Sequence, residues 1–546
     1  MPKKGGKGKG KKVEKPSWMS DEIFELSQNL PQLIDNFRGP SDKNTTPPTI
    51  TKTQAGFFLW QQLFSGDKKN IAKRDEAIKL ECIEVAVKNI SSEDVAERCP
   101  ATGVLTTLIE TEAGRETMLA ARPSPIPTLL NNLSEGTASL VTYTCGVLRI
   151  LASSPDTKPK LLKAMRDWNW GPLVNALRLH KSMPMFGGNA ASANAAITFQ
   201  YLVGEEPKPE EGLSSADKAA MQMAQEETVL RGGVEAFVDI CLHKSPAQAK
   251  TAAVEALHQI LQSTKSNTVK QSFLSSEGIE AMVRIMSNSF LPLPARGAAA
   301  GCLWVILLPE SKSGDQMAKG QEQDVLPGAP DFRTLGLDQE GAQLNIEEQL
   351  VDEDVKALVM HRAKLIANAG GIRHLVQLCQ GPEGPLPIAT PKGLETEASG
   401  KKGKKGKKGK KGKKKAGKLE PGMAEAQTYG SGCLRLMSLK EKCKQEIFAC
   451  GSVRYLTPLL ESKIHHVRWN TRQVLLNLAM VPRYATEMTL YKVPDYITGA
   501  NIPRRTWAWE RPFTAPTTSS TDSKSSGLDG TQRPATAPDT EMAKLP

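Results

Sequence analysis

The 546-residue chain carries 71 Lys and Arg against 59 Asp and Glu, a formal net charge of +12 at pH 7, with 39% apolar residues. No run of 18 apolar residues and no apolar leader occurs, which excludes a helical membrane protein and a secretory signal. Nine cysteines are scattered without a Cys-x-x-Cys pair, a usage that points to reduced thiols in a soluble cytoplasmic protein rather than to a disulfide framework. The charge is unevenly placed. Residues 1–15 hold seven lysines against Glu14, and 400–418 hold twelve lysines and no acid, so the remaining chain is left at −6. A mildly acidic body with two basic arms is not the basic folded face that grips nucleic acid.

Residues 1–16 form a Lys/Gly arm with too little apolar content to fold. In 17–52, Trp18, Met19, Ile23, Phe24, Leu26, Leu30, Leu33, Ile34 and Phe37 make an amphipathic helix followed by a Thr/Pro-rich linker. Ser20 is its expected N-cap, with Asp21 and Glu22 in the first turn. Phe57, Phe58, Trp60 and Phe64 predict a second capping helix, and a degenerate repeat is spread over 70–120.

From there one hydrophobic cadence returns. Ile126, Leu129, Leu130, Leu133 is followed by Leu173, Ala176, Leu177, and then by Val234, Phe237, Val238, Cys241. Later copies are Ile279, Met282, Val283, Met286, then Ile372, Leu375, Val376, Cys379, and last Val453, Leu456, Leu460. Each copy leads to a second stripe, such as Ala253, Ala256, Leu257, Ile260, Leu261 or Ala299, Cys302, Leu303, Ile306, Leu307. Tandem stripes of helical period describe helices that bury their faces only by stacking. Val234 to Ile279 is 45 residues and Ile126 to Leu173 is 47, whereas Ile279 to Ile372 is 93 and Ile372 to Val453 is 81. The long steps require either a missed repeat or insertions, and 309–342 and 381–423 read as insertions.

Four copies open on a glycine, at Gly233, Gly278, Gly371 and Gly451, where the residue is expected to let the chain turn into the helix. A Gly-Ile/Val opening, a helix, and then an Ala-x-x-Ala-Leu-type helix resemble the armadillo repeat. That resemblance implies an all-α, right-handed helical solenoid of armadillo-like repeats, about seven in number at the length such repeats have. They are expected over 53–203 and 228–480, separated by an acidic linker and helix start at 204–227. Residues 481–546 follow as an extended aromatic and proline tail. Its expected anchors are Tyr491, Tyr496, Trp507, Trp509 and Phe513, with Trp507 and Trp509 on one side of the extended chain.

No catalytic pattern is present: G-x-x-x-x-G-K-[ST], G-x-S-x-G, H-E-x-x-H and an EF-hand loop are all missing. The chain therefore reads as a non-catalytic scaffold with no cofactor, metal or small-molecule substrate, binding proteins through the ladder made by the last helix of each repeat. The polar residues assigned to that concave groove by helical phase are Asn194, Gln200, His258, Gln262, Asn470, Gln473 and Asn477. In nuclear-import adaptors of the armadillo class the ladder pairs Trp with Asn four residues on. Here Leu308 follows Trp304 and Gln473 follows Trp469, so an import-signal groove is not expected.

The electrostatic contacts fall to Lys3, Lys4 and Lys7 of the first arm and to Lys401, Lys402, Lys404, Lys405, Lys407, Lys408, Lys410 and Lys411 of the second. Lysines on permissive glycine spacers suit glutamate-rich tails such as those of tubulin. Armadillo-like repeats, Lys/Gly arms and a Thr/Pro tail together resemble armadillo proteins of ciliary and flagellar axonemes. That resemblance implies a structural role on microtubules in the cytoskeleton. The alternative is a soluble nuclear-transport or signalling adaptor whose lysine runs serve localisation or RNA contact.

Overall fold

The computed structural model describes Pro16, residues 19–39, 50–64, 68–166, 168–183, 187–204, 215–264, 267–308, 353–381, 384–388 and 420–499. Among them are 26 α-helices and no strand, and the helices fall into successive threes. Repeat one is α1 (Asp21–Gln28), α2 (Leu30–Arg38) and α3 (Lys52–Leu63). Repeat two is α4 (Lys68–Lys79), α5 (Cys82–Asn89) and α6 (Val95–Leu108). Repeat three is α7 (Glu112–Ala120), α8 (Pro125–Glu135) and α9 (Ala138–Ser153). Repeat four is α10 (Lys158–Met165), α11 (Gly171–Ser182) and α12 (Gly188–Val203). Repeat five is α13 (Ser215–Leu230), α14 (Gly233–Leu242) and α15 (Ala247–Ser263). Repeat six is α16 (Asn267–Ser275), α17 (Gly278–Ser287) and α18 (Leu293–Leu307). Repeat seven is α19 (Glu353–Asn368), α20 (Gly371–Leu378) and α21 (Met423–Met437). Repeat eight is α22 (Glu441–Ala449), α23 (Ser452–Leu456) and α24 (His465–Ala479), after which α25 (Pro482–Leu490) and α26 (Asp495–Thr498) close the end.

The third helices pack in file, α3 on α6, then α9, α12, α15, α18, α21 and α24. Their second helices form a parallel layer behind, where α11 meets α14, α14 meets α17 and α17 meets α20. One apolar core runs through all repeats, from Leu30 to Ile497. This is an armadillo-like helical solenoid. Because α17 touches α20 and α18 touches α21 directly, the two long steps in the sequence are insertions, and no repeat is missed.

Several expectations are corrected. Residues 17–52 supply the first two helices of a full repeat rather than a separate cap, and 68–108 form a complete second repeat. The helix start expected within 204–227 is that of α13, the first member of repeat five. Nor is the chain extended throughout beyond 481: Tyr484 on α25 stacks on Phe448 with centroids 3.9 Å apart, and Tyr491 packs against the core. Ser20 does cap α1, accepting a hydrogen bond from the Ile23 amide.

The opening glycines are needed for a different reason than turning. The left-handed residue between first and second helix is the one before: Gly232 (φ 78°), Glu277 (φ 62°) and Gly370 (φ 77°), with Glu81 (φ 61°) in repeat two. In repeat eight the turn is Gly451 itself (φ 71°), and Ser452 takes the helix-opening position. The helix-opening glycines have ordinary φ but sit against the preceding helix. A Cβ on Gly278 would lie 2.5 Å from the Phe273 carbonyl oxygen, and one on Gly233 would lie 2.7 Å from that of Thr228.

Non-glycine residues pay about 1 kcal/mol for the left-handed conformation. Glu277→Gly is therefore expected to raise stability by about 0.5–1 kcal/mol and Gly370→Ala, with open space around it, to lower it by about 1 kcal/mol. Opposite shifts in chemical-denaturation midpoints check this; equal signs would refute it.

Candidate functional site

The ladder is the surface on which side chains from every repeat meet. Its helices approach closely because small residues stand where neighbouring helices carry large ones. Gly103 on α6 lies against the Trp60 ring, Gly301 on α18 against the His258 imidazole, and Gly432 on α21 against the Trp304 indole. A Cβ at Gly432 would come within 2.6 Å of that indole.

Two stretches of the ladder are rich in rings. Near the start, Trp60 meets Phe64 at 5.2 Å and Tyr143 of α9 at 5.3 Å, and Phe57 and Phe64 are 41% and 62% exposed. Towards the end, the Arg435 guanidinium of α21 lies 4.4 Å from the Trp469 ring of α24 and 5.8 Å from that of Trp304 on α18. Arg472 of α24 lies 4.9 Å over Tyr496 of α26. Cation and ring therefore alternate across three repeats, the geometry of cation–π attraction.

The polar residues assigned to the groove are largely spent on joining neighbouring helices. Asn194 donates to the Thr142 carbonyl of α9 at 3.2 Å, and Gln200 to the Glu255 carboxylate of α15. Asn470 donates to the hydroxyl of Ser431 on α21 at 3.5 Å, and Asn477 to that of Ser438, which caps the C-terminal end of α21, at 2.8 Å. Gln262 and Gln473 are half-buried. His258 is buried against Tyr429, ring centroids 5.0 Å apart, and its Nε2 has no hydrogen-bond partner. The Trp304 indole N–H is buried and unpartnered too. Glu255 is raised from the usual carboxylate range by burial. Tyr491 and Tyr496 lie at the end of the last repeat, while Trp507, Trp509, Phe513 and all the arm lysines named above are outside the described residues.

Reasoning from sequence did not find Arg435, Arg472 or Tyr429. Helical phase could have placed Arg435 and Tyr429 on the ladder. Their pairing with Trp304 and His258 was hidden because two insertions separate them along the chain.

Among the described residues no three His, Cys, Asp or Glu converge as a metal site, and no helix is long and apolar enough to cross a membrane. Cys145, Cys241, Cys302, Cys379 and Cys433 are buried, as the apolar stripes imply. Burial pushes the Cys145 and Cys241 thiols up to about 12, leaving almost no thiolate at neutral pH.

No protein-family model matches the chain, and no curated protein matches it. Among solved structures, an engineered protein from a structural genomics consortium is 16% identical, covering 84% of this chain and 91% of its own at a TM-score of 0.41. A designed armadillo repeat protein is 14% identical over 50% of this chain and 98% of its own, at 0.35. Computationally designed armadillo repeat proteins for modular peptide recognition are 15% identical over 50% and 98%, at 0.36.

Two outcomes follow from burial. His258 is pushed down to about 4 by desolvation, and His466 to about 4 by burial and then by His465 and Arg435. Their unfolded forms take a proton near the ordinary value of about 6.5 while the folded forms resist it. Stability is thus fully present above that value and lost as pH falls towards 4, on the order of 3 kcal/mol for His258. The melting temperature should drop more steeply over this window in the native chain than in His258→Gln. Native thiol labelling should modify Cys99 and Cys450, which are half-buried, well before the seven buried cysteines; uniform labelling would contradict the packing.

Proposed function

We propose that this protein is a non-catalytic interaction scaffold that binds other proteins along its ladder and is held in a microtubule-based assembly, such as the ciliary axoneme, by its lysine arms. The observation that carries the reading is the eight-step ladder itself, unbroken although the sequence is interrupted by two long insertions. A ladder kept continuous across such interruptions is suited to contact with extended partners. The arms add an electrostatic component of low geometric demand. Lys3, Lys4, Lys7 and Lys401–Lys411 supply cations that acidic tubulin tails would attract over a Debye length of about 8 Å at physiological salt.

The second reading, a soluble transport or signalling adaptor, is favoured by the lysine runs alone. Cosedimentation with microtubules separates the two. The full chain is expected to pellet at low salt, to be released at roughly 0.5 M salt as screening shortens, and to lose at least most of its pelleting when 1–15 and 400–418 are deleted. Failure of the intact chain to pellet at low salt would remove the direct lattice contact. Nuclear accumulation dependent on Lys401–Lys415 would favour the adaptor.

A further inference from the structure

The rings at the two ends of the ladder differ in what faces them. Trp304 and Trp469 share the Arg435 guanidinium, and Tyr496 lies under that of Arg472. There the chain supplies its own cation to each ring. At the start, Trp60, Phe64 and Tyr143 form a cluster of three rings. Among the described residues no lysine or arginine lies over any of them.

The helices hold this cluster open to solvent. Gly103 of α6 lets the indole lie on the backbone: a Cβ there would stand 3.4–3.6 Å from three atoms of the five-membered ring, so one face of Trp60 is covered. Phe64 follows one turn later on α3, its amide donating to the Trp60 carbonyl at 2.9 Å, and its ring is tilted 49° to the indole. Tyr143 comes from α9, two steps along the ladder, and is tilted 66°. The Thr106 hydroxyl of α6 fixes its backbone, donating to its carbonyl at 3.3 Å. Phe64 is 62% exposed, and Trp60 and Tyr143 are half-buried. The second face of the indole thus opens outward between two inclined rings.

Charge decides what such a face takes. The faces of aromatic rings are negative and attract cations. The nearest carboxylates along α6 are already engaged, Glu110 with Arg74 at 2.6 Å and Glu97 with Lys52 at 3.7 Å. A compact ammonium, strongly hydrated, gains little from rings alone. A planar guanidinium is weakly hydrated and stacks on them, as Arg435 does on Trp469 at 4.4 Å on the same ladder.

We propose that Trp60, Phe64 and Tyr143 form a binding site for an arginine side chain of a partner protein, its guanidinium against the outward face of the Trp60 indole. The site rests on the reading of the ladder as a binding surface and names the chemistry it selects. Recognition then lies at the end of the ladder where the rings are open, while Arg435 and Arg472 make the other end part of the framework.

Fluorine NMR of the full chain labelled with 5-fluorotryptophan tests this, the Trp60 resonance being assigned by its loss in Trp60→Phe. The probes are capped pentapeptides Gly-Ser-X-Ser-Gly, with arginine, citrulline or lysine at X. The arginine peptide is expected to shift the Trp60 resonance saturably and to leave that of Trp469 in place. Citrulline keeps the shape but not the charge, and should bind about three- to thirtyfold more weakly, the span of a cation–π contact; lysine should fall between. Phe64→Ala and Tyr143→Leu should each weaken the arginine peptide, Phe64→Ala without changing the melting temperature because its ring is mostly in solvent. Phe290→Ala, at a ring 94% exposed before α18, should have no effect. Equal midpoints for arginine and citrulline, or for arginine and lysine, would overturn the site while leaving the ladder a peptide-binding surface. A shift that survives Phe64→Ala and Tyr143→Leu together, or no shift with any peptide, would overturn it as well. Microtubule pelleting through the lysine arms is read separately, so either result can fail without the other.

Discussion

Every other feature depends on one constraint: no repeat can bury the apolar face of its third helix alone. A helix such as α15, apolar at Ala249, Ala253, Ala256, Leu257 and Ile260, is shielded by α12 on one side and α18 on the other. Burying these side chains at about 25 cal/mol per Å² is the main favourable term, and it is gained only when neighbours are in place. Stability is therefore shared along the file of helices. The glycines at 103, 301 and 432 follow from the same constraint, because two adjacent third helices cannot both carry bulk at one level.

Stacking also settles where the ends of helices find partners. The last carbonyls of a helix have no partner within it, and here a side chain of an adjoining helix takes that place. Asn89 donates to the Phe37 carbonyl at 2.8 Å, Asn132 to that of Ile90 at 3.3 Å, and Arg284 to that of Leu242 at 3.2 Å, each from one second helix to the end of the one before. The third helices are capped by first helices: Arg74 meets the Leu63 carbonyl at 2.9 Å, Gln225 that of Val203 at 2.9 Å and Arg362 that of Ile306 at 3.0 Å. Cations at helix C-termini are favourable against the dipole, which explains how Arg74, Lys158, Lys270 and Arg362 come to be buried.

The apolar cadence made the solenoid legible because it reports the buried stripes directly, and repeats five and six were readable nearly residue by residue. Repeats one and two were not, because their turns lack the glycine signature: Asn29 ends α1 with a negative φ, and Glu81 takes the left-handed position between α4 and α5. The insertions blurred repeat seven for a related reason, since loop closure grows only slowly with length and leaves no mark on the helices at either end. The candidate site was less legible than the fold. Helical phase put Asn194, Gln200, Asn470 and Asn477 on third helices, but phase does not say whether a polar group meets a partner helix. Those four do. The pairing of Arg435 with Trp304 and Trp469 depends on which helices adjoin, and no local pattern encodes that.

The third helices run side by side in one direction, so their peptide dipoles add across the width of the molecule instead of cancelling. One long edge gathers helix N-termini and the other gathers C-termini. The segment 309–352, with ten acids against three bases, departs from the C-terminal end of α18. The lysine-rich stretch 389–419 joins the chain at the N-terminal end of α21, on the opposite edge. Fixed backbone partial charge and sequence charge thus have the same sign on each side. A strip polarised across its breadth would turn in the field of any charged partner, its rotational setting chosen before a side chain makes contact.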